Sequence, residues 1–422
     1  MRSRRQRKII TWLFLGILIV VIGLSVDFVI HRYSSNRSMA FRTEGNQLQI
    51  LRDKKWREFI AKGVYLGPGN PQNFSAESNV SKKDYANWFR QLAAMNANVI
   101  RIHTVQAPDF YKAFFEYNIL ANKPLYLLHG IRLREESIER YDNAYDSSLN
   151  SDFLEEIRWT IDVIHGKAST ANNYNLNVAP YVMGYIFSGK NDPGFVITTN
   201  EKNTHLMGFE GDYLFTVNAS PYEAWLAALA NYAVSYEQEK YGGPCRLVSW
   251  INCPDADPVK YFDQSNENSD TDEFSEPDMK NDTGLIVDIE HIRSTEKFNT
   301  GFFASYYIYP EFPDSVRFLQ GNVSSMASEG RLNPYEAYLR ELKNHHSMPV
   351  LAVEFGIEAS AMEGDQGQAI ADMFDSMINF GFAGGILYNR QDEWFNGSVK
   401  TEGNSPDGFR SYAILQKKFA EY

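Results

Sequence analysis

Eight short apolar runs recur along the chain, and each ends in polar or turn-forming residues. They occupy residues 59–66, 98–103, 124–129, 181–187, 246–250, 301–307, 349–354 and 383–388. Most are followed by a stretch in which apolar residues have helical spacing, at 83–95, 109–117, 152–164, 220–241, 334–344 and 366–380. Apolar positions three and four residues apart indicate a helix with one buried face. The pattern predicts eight β-strands that alternate with helices.

This alternation favours an α/β fold in which the strands close into a parallel (β/α)8 or TIM barrel. The barrel is expected to span about residues 55–422. A doubly wound open sheet is the alternative, and it would require a glycine-rich phosphate turn after the first strand. Residues 67–69 read Gly-Pro-Gly, which is not that motif and opens no immediate helix. Ser81 and Ser220, the latter followed by Pro221, are the expected N-caps of two helices.

The first 30 residues differ in character from the rest of the chain. Residues 1–8 contain five Arg and Lys, and residues 9–30 are apolar except at three positions. About 20 apolar residues cross a bilayer, and no small-residue cleavage site follows them. We interpret the segment as an uncleaved transmembrane signal anchor rather than a cleaved signal peptide or a core helix. The basic tail is expected to be cytoplasmic and the barrel extracytoplasmic, with residues 31–54 as a linker.

Composition narrows the possible partners. The net charge of −12 disfavours nucleic acid or an anionic membrane surface as a partner. Cys245 and Cys253 would lie about 26 Å apart on one extended strand, beyond the ~7 Å limit for a disulfide, so none is expected. The histidines are scattered and no CxxC pair is present, which predicts no metal site. No cofactor is expected.

One acidic segment interrupts the alternation after the fifth predicted strand. Residues 255–282 contain ten Asp and Glu, two Lys and no strong periodicity. The segment, at about 255–283, is interpreted as an acidic loop insertion. A calcium-binding or substrate-covering loop is the alternative, although its acidic residues do not follow the EF-hand spacing.

Polar and aromatic residues collect at the carboxyl ends of the predicted strands, where barrel enzymes place their reactive groups. In strand order they are Arg101, His103, His129, Lys190, Asn191, Asp192, Trp250, Tyr307, Tyr309, Glu354, Asp392 and Trp394. The set is rich in carboxylates and aromatics, and it contains no Ser-His-Asp arrangement with a nucleophile elbow. Paired carboxylates beside aromatic platforms are what glycoside hydrolysis requires. A carbohydrate is therefore the expected ligand.

Glu354 is the strongest candidate for a catalytic group, because it closes an apolar strand and precedes Phe355 and Gly356. A nucleophilic carboxylate must stay ionised, and Arg101 is expected to hold it so. The alternative is a strand-end carboxylate that only caps a loop or pairs with arginine. Tyr309 is expected either to hydrogen-bond the nucleophile or, since it precedes Pro310, to serve as a packing residue.

The other candidates are assigned to substrate binding. Trp394 lies in a polar loop, which favours a sugar platform over a core position. His103 and His129 are interpreted as subsite or structural residues rather than as catalysts.

Five stretches resemble glycoside hydrolase clan A, particularly the catalytic barrels of families 2 and 5. They are residues 62–64, 98–101, 309–310, 349–356 and 384–395, and they occur in the order of the clan's strands. The resemblance covers about residues 55–400. It implies retaining hydrolysis of equatorial, β-type glycosides, with Glu354 as the nucleophile.

The chain departs from the clan after the fourth predicted strand, where the clan places its acid/base glutamate after an asparagine. Residues 187–193 read Phe-Ser-Gly-Lys-Asn-Asp-Pro, so Lys190 occupies the position of that glutamate. Asp192 is the replacement if the loop shifts, and Glu201 and Glu210 are weaker candidates. Tyr307 stands where related sequences often carry histidine.

Two hypotheses follow from this pattern. The first is a membrane-anchored, outward-facing retaining glycosidase that acts on β-linked cell-envelope or exported polysaccharide, with Glu354 and Asp192 as catalytic residues. The second is a catalytically impaired barrel that binds glycan and assists polysaccharide synthesis or export.

Overall fold

The computed structural model describes most of the chain beyond residue 39. The described residues are 12, 15, 17, 40–67, 80–133, 140–168, 173–188, 193–206, 208–252, 256–259, 285–310, 334–357, 366–388 and 406–422. The anchor predicted at 9–30 lies outside them except for Trp12, Leu15 and Ile17, and the acidic insertion except for 256–259. Among the described residues, no helix is both long and apolar enough to span a bilayer.

A closed barrel of eight parallel strands forms the centre of the fold, as the sequence predicts. Its strands are β4 (Ala61–Tyr65), β5 (Val99–Ile102), β6 (Tyr126–Arg132), β7 (Val182–Ser188), β9 (Leu247–Asn252), β11 (Ala304–Ile308), β12 (Val350–Phe355) and β13 (Gly384–Leu387). They follow one another in chain order, and β13 pairs with β4 to close the ring. Each of the eight apolar runs contains most or all of one strand, so the (β/α)8 prediction is confirmed.

Helices surround the barrel. They are α1 (Lys82–Ala94), α2 (Pro108–Leu120), α3 (Ser147–Ile164), α4 (Pro193–Lys202), α5 (Pro221–Lys240), α6 (Pro334–His345), α7 (Gln366–Asn379) and α8 (Pro406–Glu421). Ser81 and Ser220 cap α1 and α5 through capping boxes, in which each serine side chain accepts from the third residue of its helix. These caps fix where the two helices begin.

Two hydrophobic clusters divide the core, because successive residues of a strand point to opposite faces. An interior cluster fills the barrel and includes Val99, Leu128 and Leu351. An outer cluster lies between the strands and the helices and includes Ile100, Leu127 and Val350. Which cluster a strand residue joins therefore decides whether its side chain can reach the mouth of the barrel.

A three-stranded antiparallel sheet, here called the basal sheet, closes the amino-terminal end of the barrel. It consists of β1 (Phe41–Glu44), β2 (Gln47–Arg52) and β3 (Lys55–Glu58). Leu48 and Ile50 of β2 belong to the interior cluster. Thr43 N–H donates to Thr300 O at 2.8 Å, just before β11. The sheet thus plugs the end of the barrel opposite to the mouth.

The basal sheet overlaps the segment that the sequence interpretation treats as a linker, residues 31–54. Strands β1 and β2 lie within that segment. The turn to β3 carries Asp53 and Lys54 at φ values of 52° and 61°, and two central residues with positive φ are typical of a tight hairpin turn. Polar side chains in all three strands weaken the apolar alternation that identifies a strand. Residues 41–52 therefore belong to the folded part of the chain.

A second, two-stranded sheet is separate from the barrel. It pairs β8 (Leu214–Thr216) with β10 (Ile292–Ser294). Glu223 at the start of α5 accepts from Asp288 N–H at 2.6 Å and contacts His291 Nδ1 at 2.9 Å. These bonds tie the segment at 285–298 to α5.

His129, which the sequence assigns either to a sugar subsite or to a structural role, lies in the outer layer. It is fully buried, its Nδ1 lies 2.8 Å from Gly130 O, and its Nε2 lies 2.8 Å from Tyr111 Oη of α2. A carbonyl only accepts, so Nδ1 carries the proton and Nε2 accepts from the tyrosine hydroxyl. Leu128 takes the inward position on this strand. His129 is therefore structural.

Burial lowers the pKa of His129 from 6.5 to about 4, which predicts a pH-dependent stability. The unfolded chain binds this proton first as the pH falls, so stability is full above about pH 6.5 and declines towards pH 4. The loss is about 3 kcal/mol at most. We expect His129→Gln to flatten the dependence of unfolding free energy on pH between 7 and 4, as measured by urea denaturation. An unchanged slope would contradict this assignment.

Candidate active site

Glu354 projects into the barrel because β12 contains an irregularity at this point. The pairing of β11 with β12 passes from Tyr306↔Ala352 to Tyr307↔Glu354, which leaves Val353 as an extra residue. Leu351 and Val353 both belong to the interior cluster, so strict alternation would turn Glu354 outwards. The extra residue reverses that direction, as β-bulges beside active sites commonly do.

Arg101 stabilises both the bulge and the carboxylate. Its guanidinium reaches across the barrel from β5, where Nη1 donates to Val353 O at 3.0 Å and also to Glu354 Oε1. Only 1% of Arg101 and 7% of Glu354 is exposed. A buried ion pair of this kind needs further hydrogen bonds to offset its desolvation.

Two more side chains complete the shell of Glu354. His103 Nε2 lies 2.8 Å from Oε1, and Tyr309 Oη donates to Oε2 at 3.2 Å. An ionised carboxylate only accepts, so the histidine proton is on Nε2. His103 Nδ1 is then free to accept from Tyr65 Oη at 3.1 Å. Both carboxylate oxygens are thereby held in fixed positions.

The charges around the site keep Glu354 ionised. Burial acts to raise the pKa of its carboxyl, but the charge of Arg101 and the hydrogen bonds from His103 and Arg101 outweigh it, and the pKa is lowered. For His103 the main effect is burial, which disfavours the charged, protonated ring and lowers its pKa. This ring is therefore neutral at neutral pH. The Glu354 carboxylate is therefore ionised, as a nucleophile requires.

Tyrosines line the space around this carboxylate. Tyr65 at the end of β4 stacks on Tyr388 after β13, with ring centroids 4.9 Å apart. Tyr307 packs against the interior cluster and lies 6.0 Å from the Arg101 guanidinium. Burial and the nearby Glu354 charge raise the pKa of Tyr309, so it remains a protonated donor. Aromatic faces beside a carboxylate match the apolar faces of a sugar ring.

Of the predicted residues, the structure brings together Arg101, His103, Tyr307, Tyr309 and Glu354. Three further residues, which the sequence pattern did not indicate, lie at or near the site. Tyr65 and Tyr388 contact the site as described above. Arg132 ends β6. Burial is the largest cause that lowers the pKa of His103, and the charges of Arg101 and Arg132 lower it further, whereas Glu354 raises it. Their positions at strand ends could have identified all three.

Trp250 lies away from the site, in contrast to its prediction as a substrate-binding residue. It is 2% exposed, belongs to the outer cluster, and donates from Nε1 to Leu226 O of α5 at 3.0 Å. Ile251, the next residue, faces the interior. Trp250 therefore fastens β9 to α5.

Several predicted residues lie outside the described part of the chain, namely Lys190, Asn191, Asp192, Asp392 and Trp394. Ser188, the last residue of β7, is described and buried. Glu201 on α4 and Glu210, which bridges to Phe215, are exposed. Glu354 is the carboxylate that the described residues supply at the site.

One cluster of described residues has the composition of a metal site. Ligand atoms of Asp288, His345 and His346 lie within 4.8 Å of one another. His345 Nε2 lies 2.8 Å from Asp288 Oδ2, His346 Nδ1 lies 3.2 Å from Glu290 Oε1, and His346 Nε2 lies 2.6 Å from Tyr306 Oη. Both nitrogens of His346 thus already have protein partners. The cluster is complete as a hydrogen-bond network that ties residues 288–290 to the end of α6.

Comparison with known proteins identifies the fold. No protein-family model matches the chain, and no curated protein matches it either. Among solved structures, a GH2 β-galacturonidase from Eisenbergiella tayi bound to galacturonate is 14% identical, with a TM-score of 0.50 over 91% of this chain and 54% of that one. The chain thus spans about half the length of that enzyme.

Two further structures fall just below that similarity. Gas2p of Saccharomyces cerevisiae in complex with laminaripentaose is 14% identical, with a TM-score of 0.49 over 91% of this chain and 70% of that one. The endo-1,4-β-mannanase of Rhizomucor miehei is 12% identical, with a TM-score of 0.48 over 91% of this chain and 100% of that one. Together with the closed barrel, the β-galacturonidase comparison shows that the chain has a (β/α)8 barrel fold.

Proposed function

We propose that this chain, whose barrel has the clan A glycoside hydrolase fold, is a membrane-anchored retaining glycosidase that cleaves β-linked glycans. The observation that carries the proposal is Glu354. This carboxylate is buried at the mouth end of the barrel, and Arg101, His103 and Tyr309 hold its two oxygens. A structural carboxylate does not require a bulge that turns it into the lumen.

In the proposed reaction, a Glu354 oxygen attacks the anomeric carbon and forms an ester bond as the bond to the leaving oxygen breaks. The leaving oxygen takes a proton from the acid/base residue. That residue then removes a proton from water, which attacks the same carbon and releases Glu354. Tyr388 is partly exposed and supplies a ring against which a sugar can pack, with the buried Tyr65 stacked behind it. Arg101 keeps the carboxylate ionised between cycles.

The test of this function is the stereochemistry of the first product. We expect hydrolysis of at least one member of a panel of aryl β-glycosides. We also expect ¹H NMR during early turnover to detect the β-anomer before mutarotation. An α-anomer would contradict the retaining mechanism. Binding to β-glycans with no hydrolysis of any panel member would favour the second candidate below.

We assign the acid/base role to Asp192, which in the sequence lies between the last residue of β7, Ser188, and the first residue of α4, Pro193. We expect Asp192→Asn to lower kcat/KM by about 10²- to 10⁴-fold on glycosides with poor leaving groups. The loss should be much smaller on dinitrophenyl glycosides, because their leaving group needs no proton. The exposed carboxylates Glu201 and Glu210 provide matched controls, and their Gln variants should retain full activity. An equal loss on both substrate types would refute the assignment.

The location belongs to the same proposal. The apolar residues 9–30 act as a single-pass anchor, and the basic tail keeps the N-terminus in the cytoplasm. The barrel then faces outwards, where cell-envelope or exported polysaccharide is the available substrate. The β-galacturonidase structure contains bound galacturonate, which supports a carbohydrate as the ligand of this chain.

A second candidate function is a barrel that binds glycan and assists its synthesis or export without hydrolysis. One observation favours it: Lys190 occupies the sequence position at which the clan carries its acid/base glutamate, whereas retaining hydrolysis uses two carboxylates about 5 Å apart.

A further inference from the structure

We propose that Tyr65 is a positioning residue that acts on Glu354 through His103. The three side chains form a series of hydrogen bonds at the barrel mouth, here called the relay. Tyr65 Oη lies 3.1 Å from His103 Nδ1, and His103 Nε2 lies 2.8 Å from Glu354 Oε1. This role rests on the proposed function, in which Glu354 is the nucleophile. It deepens that function by identifying the hydroxyl that controls how strongly the histidine donates to the nucleophile.

The hydrogen bonds of the relay all run towards the carboxylate. Glu354 is ionised and only accepts, so His103 Nε2 carries the proton. Because the histidine ring is neutral, its Nδ1 has a lone pair that accepts from the Tyr65 hydroxyl. Successive hydrogen bonds polarise one another, so a donor on Nδ1 strengthens the donation from Nε2. Tyr65 thereby stabilises the anionic form of Glu354.

Packing fixes the His103 ring within the relay. The ring centroids of Tyr65 and His103 are 4.3 Å apart, and Tyr65 in turn stacks on Tyr388. On the neighbouring strand β6, Gly130 approaches so closely that a Cβ there would lie 2.1 Å from His103 O. Only 3% of Tyr65 is exposed. A buried ring with little freedom to turn therefore holds the hydroxyl against Nδ1.

Other groups also act on the carboxylate of the relay. Burial raises the pKa of Glu354, whereas the charge of Arg101 and the hydrogen bond from His103 lower it. Among the described residues, the charged and titratable groups around the relay are Arg101 of β5, Arg132 of β6, Tyr307 and Tyr309 at the end of β11, and Tyr388 after β13. The substitution Tyr65→Phe leaves all of these groups in place and keeps the ring that stacks on Tyr388. It therefore isolates the hydroxyl.

A second tyrosine and histidine pair provides a matched control. Tyr111 Oη donates to His129 Nε2 at 2.8 Å in the outer layer, and Tyr111 is also 3% exposed. Loss of either hydroxyl leaves a histidine nitrogen without its donor and lowers stability. Of the two tyrosines, only Tyr65 is linked through its histidine to Glu354. Tyr111→Phe therefore separates an effect on the nucleophile from an effect on stability.

The first test is the pH profile of kcat/KM on the best substrate of the aryl β-glycoside panel. We expect Tyr65→Phe to move the acid limb to higher pH by about half a pH unit, which lowers kcat/KM about 3-fold at pH values below the limb. Tyr111→Phe should keep the acid limb of wild type. A limb that is unchanged in Tyr65→Phe, or that moves equally in both variants, overturns the proposal.

A fluorinated tyrosine at position 65 tests the same role with the opposite sign. 3-Fluorotyrosine keeps the ring, but its hydroxyl is more acidic and donates more strongly. The acid limb should therefore move to lower pH than in wild type. This variant also carries the test if Tyr65→Phe does not fold, and a limb that stays in place or moves to higher pH overturns the proposal.

The second test needs no turnover and uses the full-length protein with ¹⁵N-labelled histidine in detergent micelles. Long-range ¹H–¹⁵N spectra report the state of both ring nitrogens, and His103→Gln identifies the His103 signals among the eight histidines. We expect wild type to show a protonated Nε2 and a hydrogen-bonded, unprotonated Nδ1. In Tyr65→Phe the Nδ1 signal should shift to that of a nitrogen without a hydrogen bond. Protonation of Glu354, which the Nε2 signal senses, should begin at higher pH.

Failure of the proposed function is distinguishable from failure of the relay. If no panel substrate is hydrolysed, but Tyr65→Phe moves the Nδ1 signal and the protonation of Glu354, the relay stands and hydrolysis fails. If a substrate is hydrolysed, and Tyr65→Phe matches wild type in the spectra and in the acid limb, the relay fails and hydrolysis stands.

Discussion

Replacing Glu354 with glutamine is expected to lower kcat/KM on an aryl β-glycoside by about 10⁴-fold or more. The amide keeps the size and much of the hydrogen bonding of the side chain, but it removes the anion that attacks the anomeric carbon. Steady-state kinetics on the best substrate of the panel measures the effect. A loss smaller than about 10-fold would remove Glu354 from the role of nucleophile.

Glu237 offers a matched control for this variant. It too is a buried glutamate that contacts one arginine, one histidine and one tyrosine: Arg246 Nε lies 2.8 Å from it, His165 Nε2 2.7 Å and Tyr185 Oη 2.9 Å. It sits in α5, outside the barrel interior. Glu237→Gln should destabilise the fold while the folded fraction keeps its kcat. Equal losses of activity in both variants would indicate that Glu354→Gln acts through stability alone.

Replacing Arg101 with methionine is expected to destabilise the protein by about 3–5 kcal/mol, because it leaves a buried carboxylate without its cation. In the wild type the pKa of Glu354 is held below its ordinary value. This group therefore stabilises the fold above its unfolded pKa, and the contribution is lost as the pH falls through the folded pKa. In the variant the charge of Arg101 no longer opposes burial, so the pKa of Glu354 rises and its contribution to stability falls as the pH rises through the acid range.

Two measurements check the Arg101 prediction. Urea denaturation across pH should show that stability rises less steeply with pH in the variant than in wild type over the acid range. The acid limb of the pH profile of kcat/KM should move to higher pH in Arg101→Met, with a loss of about 100-fold at neutral pH. Arg246→Met, which removes the cation of Glu237, should lose stability without moving the acid limb. A variant Arg101→Met with an unchanged acid limb would refute the electrostatic role.

Much of the fold could be predicted from the sequence, because each barrel strand is a short apolar run bounded by breakers. Both faces of a barrel strand are buried, one in the interior and one under the helices, so Tyr126–Leu128 of β6 and Val350–Val353 of β12 are continuous apolar stretches. The basal sheet was not predicted, because its strands are not continuously apolar. Only Phe41 of β1 and Leu48 and Ile50 of β2 are buried, and all four residues of β3 are exposed.

The candidate site was harder to predict, because successive strand residues face alternately into the barrel lumen and towards the outer layer. An error of one residue therefore reverses the predicted direction of a side chain. Position at a strand end was enough to identify Arg101, His103, Tyr309 and Glu354. It was not enough for His129 and Trp250, whose side chains point towards α2 and α5.

Glu354 itself faces inwards only because Val353 is an extra residue in β12. Sequence periodicity does not report such a bulge. The carbonyl that the bulge exposes is bonded by Arg101, so the bulge and the arginine form one structural unit.

The most direct test of the central claim is covalent trapping of the nucleophile. An activated 2-deoxy-2-fluoro β-glycoside, matched to the best substrate of the panel, slows release of the glycosyl ester so that it accumulates. Mass spectrometry of the digested protein is expected to find the fluorinated sugar on the peptide that contains Glu354, with fragmentation that places it on that residue. A sugar attached to any other residue, or complete turnover with no adduct and an inverted product, would contradict the account.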